Sequence, residues 1–253
     1  MKSVFKIGML ALVVALIIGL IIPSGVMAAK VIKIGAIYPL TGGAAAAGRE
    51  LRAGVELAVE LANNNMSNVN MSMAKNAGIT SLGGAKIEII FKDHEGNPTL
   101  GADLAKKLIL DDKVDGLLGC YHSSVTKTVS AVAEQYGIPM INGSSTSPAL
   151  TTRGFKWFWR TTPHDVWFTK DLFDFLNGLT EGKAKGVAAV PKKDIMNVSS
   201  ACEKTEWGSF VSELIQQFSK EYGYNLRKSM LYAKESPDLS SEVRSMKASR
   251  ADV

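Results

Sequence analysis

The stretch DGLLGCYHSSVTKTVSAVAEQYGIPMINGSSTSPALTT, residues 115 to 152, sets two hydroxyl-rich turns where two parallel strands should end. The apolar run Val114 to Gly119 has the length and bounds of a buried strand. Ser123 and Ser124 follow it and open a segment with Val125, Val129, Val132, Ala133 and Tyr136 at helical spacing. The short run Ile138 to Ile141 is the next strand, and Ser144, Ser145, Thr146 and Ser147 come directly after it. Ligands of open α/β sheets bind at the carboxyl ends of the strands, so the two clusters form a cradle for a small anion. Ser123 or Ser124 also suits the N-cap of the helix. A helix start offers unpaired N–H groups and a partial positive charge, which suit a carboxylate.

Outward from this stretch, strand and helix patterns alternate from Lys30 onward, which argues for a mostly parallel sheet with helices on both faces. VIKIGAI (31–37) is a strand, and a helix over about 49–62 presents Leu51, Val55, Ala58, Val59 and Ala62 on one face. The polar stretch 63–84 is a surface excursion. IEIIFKD (87–93) is the second strand, and the helix after it carries Leu100, Leu104 and Leu108 inward. WFWRT (157–161) is the fifth strand. Thr162-Pro163-His164-Asp165 then starts a helix with Asp165 as N-cap and with Phe168, Leu172, Phe175 and Leu176 inward. GVAAV (186–190) and YNLRKSMLY (224–232) are strands, with helices over 206–222 and 238–249. A second α/β lobe therefore begins near residue 162. Its two strands and about three helices make an incomplete unit with uncovered strand edges, so the sequence is expected to be truncated at its C-terminus.

The first 28 residues differ from the rest. Lys2 and Lys6 precede the apolar run Ile7 to Ile22, and Val26 and Ala28 end a small-residue cleavage pattern. This is the layout of a secretory signal peptide; the run, about 16 residues, is short of the ~20 that a spanning helix needs. The expected divisions are a signal peptide over 1–28, a first lobe over 29–161 and a second lobe over 162–253. The composition of the whole 253-residue chain, 46% hydrophobic and 21% charged, is that of ordinary globular material. The formal charge is +5, and removing the leader's two lysines leaves a mildly basic surface without the basic run or interleaved aromatics of a nucleic-acid groove. Cys120 and Cys202 fall in different lobes and are expected to be free thiols.

Enzymatic readings find little support in the residues. Gly43 to Gly48 has the glycine spacing of a P-loop, but Arg49 and Glu50 stand where its lysine and hydroxyl residue are required. His122 adjoins Ser123, yet no GxSxG elbow is present. No two histidines or cysteines have metal-ligand spacing. Trp157, Trp159 and Trp167 read as core residues. Trp207, in Glu206-Trp207-Gly208 at the strand-end edge of the second lobe, reads as a ligand platform.

IKIGAIYPLTG with Gly48 and Gly54, FKDHEGNP, DGLLGCYHSS, GIPMINGSSTSPALTTRG, FWRTTPHD and EWGSF occur in order between about Lys33 and Met246. In these segments the chain resembles the periplasmic solute-binding proteins of branched-chain amino acid ABC transporters. The resemblance implies a type I periplasmic binding fold: two doubly wound parallel-sheet α/β lobes with a ligand cleft between them, the second lobe incomplete here. It implies binding without catalysis or cofactor, a monomer, no nucleic acid, an extracytoplasmic location and a membrane ABC permease as partner. Carried over by motif, Ser123 holds the ligand carboxylate, and Ser144 and Thr146 bind through backbone groups and the threonine hydroxyl. Trp207 replaces the usual tyrosine, and Ala47 replaces what is often an aromatic over the ligand side chain. The acidic and aromatic groups that usually grip an ammonium fall beyond Val253, so the ligand class spans amino acids, amides and aromatic acids. The segment 191–205 looks longer than usual for the family. A sensory ligand-binding domain of the same fold is the alternative function.

Overall fold

The computed structural model describes residues 30–234 and 236–253, so the signal-peptide reading lies outside the described residues. Strand β1 (Val31–Tyr38) is followed by helix α1 (Ala45–Asn63), and β2 (Lys86–Asp93) by α2 (Pro98–Leu110). The stretch of residues 115 to 152 folds as β3 (Gly116–Gly119), α3 (Ser123–Tyr136) and β4 (Met140–Asn142), and β5 (Phe158–Arg160) ends the first sheet. Its strands are all parallel in the order β2-β1-β3-β4-β5. The chain leaves β1 toward one edge and returns on the other side as β3, so the order reverses between β1 and β3. Ala36 and Ile37 of β1, Leu108 of α2, Val125 and Val129 of α3 and Met140 of β4 are fully buried in this unit. Asn97 caps α2 by accepting from the Thr99 and Leu100 N–H groups, with Pro98 at the first helical position.

The second unit consists of α4 (Asp165–Thr180), β6 (Asn197–Glu203), α5 (Glu206–Glu221), β7 (Asn225–Tyr232) and α6 (Ser240–Ala248). β6 and β7 pair in parallel. Val253 lies in register beside β6, donating to the Asn197 carbonyl and accepting from the Ser199 N–H. The core here is Phe173 and Leu176 of α4, Val198 of β6, Leu214 and Phe218 of α5, and Tyr224.

Several local expectations are corrected. Residues 186–190 form no strand; Val190 N–H bonds back to the Leu179 carbonyl at the end of α4, between Gly186 with φ +78° and Pro191. The strand is NVSSACE, inside the segment read as a long loop. Its polarity hid it: buried Ser200 is satisfied by Ser229, which Ser212 also meets at 2.7 Å. Helix α4 buries Thr169, Phe173 and Leu176, whereas Phe168, Leu172 and Phe175 are about half exposed. The segment is apolar nearly all round, so periodicity did not select its inner face. Helix α1 begins four residues earlier than expected, and Ala58 points to solvent. Trp157, Trp159 and Trp167 are 41 to 55% exposed and are not core. Cys120 is buried and Cys202 half-buried, both free.

Candidate functional site

The loops after β1, β3 and β4 converge at the carboxyl edge of the first sheet. The turn after β1 is tied to β2, because Asp93 accepts from the Leu40 N–H at 2.9 Å and from the Thr41 hydroxyl at 2.6 Å. It leads into α1, where Gly48 passes so close to β1 that a Cβ would sit 1.8 Å from the Pro39 carbonyl oxygen. Only glycine fits there, and that approach fixes half-buried Ala47 on the β1 side of the reversal point. Ser123 lies on the β3 side as the first residue of α3, 5% exposed. The N-cap is His122, one residue earlier than the serines expected there, and its side chain makes no capping bond. The first-turn N–H groups of a 14-residue helix therefore point out of the sheet edge.

A node of buried polar groups joins the β3 and β4 loops. Asn142, fully buried at the end of β4, donates through Nδ2 to the carbonyls of Gly119 at 2.9 Å and Cys120 at 2.8 Å. Its Oδ1 accepts from the Ser145 N–H at 2.9 Å. Ser145 Oγ lies 2.6 Å from Thr126 Oγ1, which accepts from the Cys120 N–H. Ser144 directs its hydroxyl into the same node, onto the Cys120 carbonyl at 2.9 Å. The Ser147 N–H reaches Ser123 Oγ at 3.4 Å. Thr146, half-buried, contributes its carbonyl, which accepts from the Asp165 N–H at 3.0 Å. Burial pushes the Tyr38 hydroxyl up to about 12, with Cys120 adding to the shift, and burial also raises the Cys120 thiol. Both stay neutral at pH 7 and add no negative charge beneath the α3 start.

Trp207 reaches this edge from the first turn of α5 in the second unit. Thr205 caps α5 by accepting from the Gly208 N–H at 3.0 Å. A Cβ on Gly208 would meet the Glu203 carbonyl oxygen at 2.1 Å, the same close approach that Gly48 makes in the first unit. Trp207, 40% exposed, donates from Nε1 to Asp165 Oδ1 at 2.9 Å. Asp165 is the first residue of α4 and not its N-cap, which is His164. Thr146, in the loop after β4, and Trp207, in the first turn of α5, are thus both bonded to Asp165, a residue read from sequence only as a helix start. Beside them Lys127 of α3 pairs with Glu206 of α5 at 3.1 Å.

The structure brings Ser123, Ser144 and Thr146 together on adjoining loops and links Thr146 to Trp207. Among the described residues Ala47 makes no hydrogen bond to them. Two cavities lie elsewhere. One, about 840 Å³, is lined by residues that include Ser219, Asn225 and Arg227; the other, about 510 Å³, includes Arg160, His164 and Trp167. Neither is lined by a predicted site residue.

The family pattern described as periplasmic binding protein matches residues 31–253. The Leu/Ile/Val-binding protein homolog 7 of Brucella suis biovar 1 (strain 1330) is 29% identical over 243 residues, covering 95% of this chain and 55% of that protein. The chain spans about half the length of the curated relatives it matches. Among solved structures, a solute-binding protein of an ABC transporter from Rhodopseudomonas palustris BisB5, in complex with 3,4-dihydroxybenzoic acid, superposes with a TM-score of 0.69 at 20% identity. It covers 87% of this chain and 52% of that one. The branched-chain amino acid transporter substrate-binding protein LivJ from Streptococcus pneumoniae, in complex with isoleucine, gives 0.66 at 21% identity over 86% of this chain and 54% of that one. At these identities the likeness is one of fold.

Proposed function

Because the chain belongs to the periplasmic binding protein family, we propose that it is the solute-capturing component of an ABC importer, acting outside the cytoplasm without chemistry of its own. The solute is a small amino acid or a related carboxylate or amide. The observation that carries this reading is the pairing, at one sheet edge, of buried Ser123 at the start of α3 with half-buried Thr146 in the loop after β4. The helix start and Ser123 offer N–H and O–H donors to a carboxylate. Thr146 adds a further donor from the β4 side, Ser144 acts through its backbone, and Ala47 leaves room over the solute side chain. Trp207 closes over the solute from the other sheet. In this reading residues 29–161 and 162–253 are two lobes, and a solute that contacts both favours the state in which they approach. A membrane permease is the partner that receives the solute.

A thermal-shift panel of amino acids, amides and aromatic acids tests the reading. A ligand at about 100 times its Kd adds roughly 2.7 kcal/mol of stability, so at least one member should raise the Tm by several degrees. Replacing Ser123 and Thr146 together by alanine should weaken that ligand by about 1.5–3 kcal/mol for each hydrogen bond lost to its charged group. No shift with any member, or unchanged affinity in the double variant, would overturn the assignment.

A further inference from the structure

We propose that the second unit carries an oxyanion site of its own, a cavity between the end of α5, the start of β7 and the end of α6 that takes a phosphate group, free or carried by a small hydroxylated molecule. It is independent of the solute-binding reading above. The cavity, about 840 Å³, has the size of a small-molecule site. Ser219 of α5 lines it and is 1% exposed, yet its hydroxyl has no hydrogen-bond partner among the described residues. Buried hydroxyls are ordinarily bonded. Lys220, next along the helix, and Arg227 of β7 line the same cavity, and neither forms an ion pair among the described residues. Arg227 spends only Nε, on the Ser249 carbonyl at 3.4 Å, and a guanidinium has further N–H donors to give.

Each cation has a local use. Lys220, in the last turn of α5, offsets the helix dipole, and Arg227 guards the open edge of β7 against pairing. Neither use calls for the hydroxyl of Ser219. The ends of α5 and α6 each bring about −0.5 charge, and no described acidic side chain lines the cavity, so two full cations leave it positive. A hydroxyl, an ammonium and a guanidinium arriving from a helix and a strand suit a group with three acceptor oxygens, as a phosphate has; a carboxylate offers two. The exposed amides of Gln216 and Asn225 on the same wall both donate and accept, which suits the hydroxyls of a carrier molecule. Ser219 stands about 18 Å from Trp207 along α5, at ~1.5 Å rise per residue, so this cavity is remote from the site at the first sheet's edge.

Calorimetric titration of the purified protein at fixed ionic strength with sodium phosphate, glucose 6-phosphate and glucose tests this, with Tm read in parallel. At least one of the two phosphates should bind saturably and raise the Tm, and glucose should bind at least tenfold more weakly than its phosphate. An ester tighter than phosphate identifies a phosphorylated molecule as the occupant; the reverse identifies the free anion. Arg227→Gln and Lys220→Gln should each weaken binding at least fivefold, whereas Lys106→Gln on α2, which removes the same charge elsewhere, should leave it within about twofold. Ser219→Ala deletes a buried hydroxyl that lacks a partner, so it should raise the Tm of the ligand-free protein and weaken phosphate at least threefold. No saturable binding of either phosphate by the wild type overturns the proposal and leaves the solute-binding reading intact. Unchanged affinity in Arg227→Gln and Lys220→Gln, or an equal loss in Lys106→Gln, also overturns it. So does a loss confined to the Ser123→Ala, Thr146→Ala double variant, which would put the anion at the start of α3.

Discussion

Replacing Asn142 by alanine probes the scaffold that carries the site. The side chain is fully buried and bonds the Gly119 and Cys120 carbonyls and the Ser145 N–H across two loops. In the variant the Cys120 carbonyl keeps the Ser144 and Ser145 hydroxyls. The Gly119 carbonyl and the Ser145 N–H lose their side-chain partner, at about 1–3 kcal/mol for each buried group left unsatisfied. The expected loss is therefore roughly 2–6 kcal/mol, a large share of the ~5–15 kcal/mol that a domain has. Urea denaturation followed by circular dichroism measures it, with ligand affinity read in parallel. Asn142→Asp keeps the shape but turns an acceptor toward two carbonyls, and should cost at least as much as the alanine. A loss below about 1 kcal/mol for Asn142→Ala, or a neutral Asn142→Asp, would refute the account of the node.

The two glycines at the helix starts should behave unlike a glycine with open space around it. Gly208→Ala forces a Cβ against the Glu203 carbonyl and should cost at least ~1–3 kcal/mol, displacing Trp207, whereas Gly54→Ala in α1, where nothing lies within 4 Å, should stabilise by up to about 1 kcal/mol; chemical denaturation of the pair decides. Burial, and next the neighbouring His122, hold the His94 imidazole down at about 4, with Asp93 and Lys234 also facing it. The unfolded chain takes up this proton below about 6.5 and the folded protein only below about 4, so stability should fall by up to about 3 kcal/mol as pH drops across that window. His94→Asn, which retains an acceptor for the Gly96 N–H that His94 Nδ1 now holds, should flatten the slope of Tm against pH; an unchanged slope would show that other groups set it.

Strands β1 to β5 were legible because they are apolar and sit between helices with clear faces. The convergence of Ser123, Ser144 and Thr146 followed from topology alone, since residues after neighbouring parallel strands must meet at one edge. β6 was not legible, because its buried Ser200 is satisfied by Ser229 of β7, which also meets Ser212 of α5, and hydropathy does not register a buried position filled that way. The inner face of α4 was hidden for the opposite reason, an excess of apolar residues. Asn142 left a faint signal, a polar residue closing a short apolar strand. The link that Asp165 makes between Thr146 and Trp207 left none, since an acidic residue at a helix start has a sufficient local explanation in capping.

The Lys127–Glu206 pair joins α3 to α5 through side chains that are 51% and 32% exposed. Such a pair contributes about 0–1 kcal/mol, and mobile ions weaken it over a Debye length of about 8 Å at physiological ionic strength. The two helices are thus tethered at an energy comparable to thermal motion, and the salt concentration of the medium adjusts the tether. If the two units open and close as proposed, a dilute medium shifts the resting balance toward contact before any solute arrives, and a saline one leaves more of the work to the solute's own hydrogen bonds.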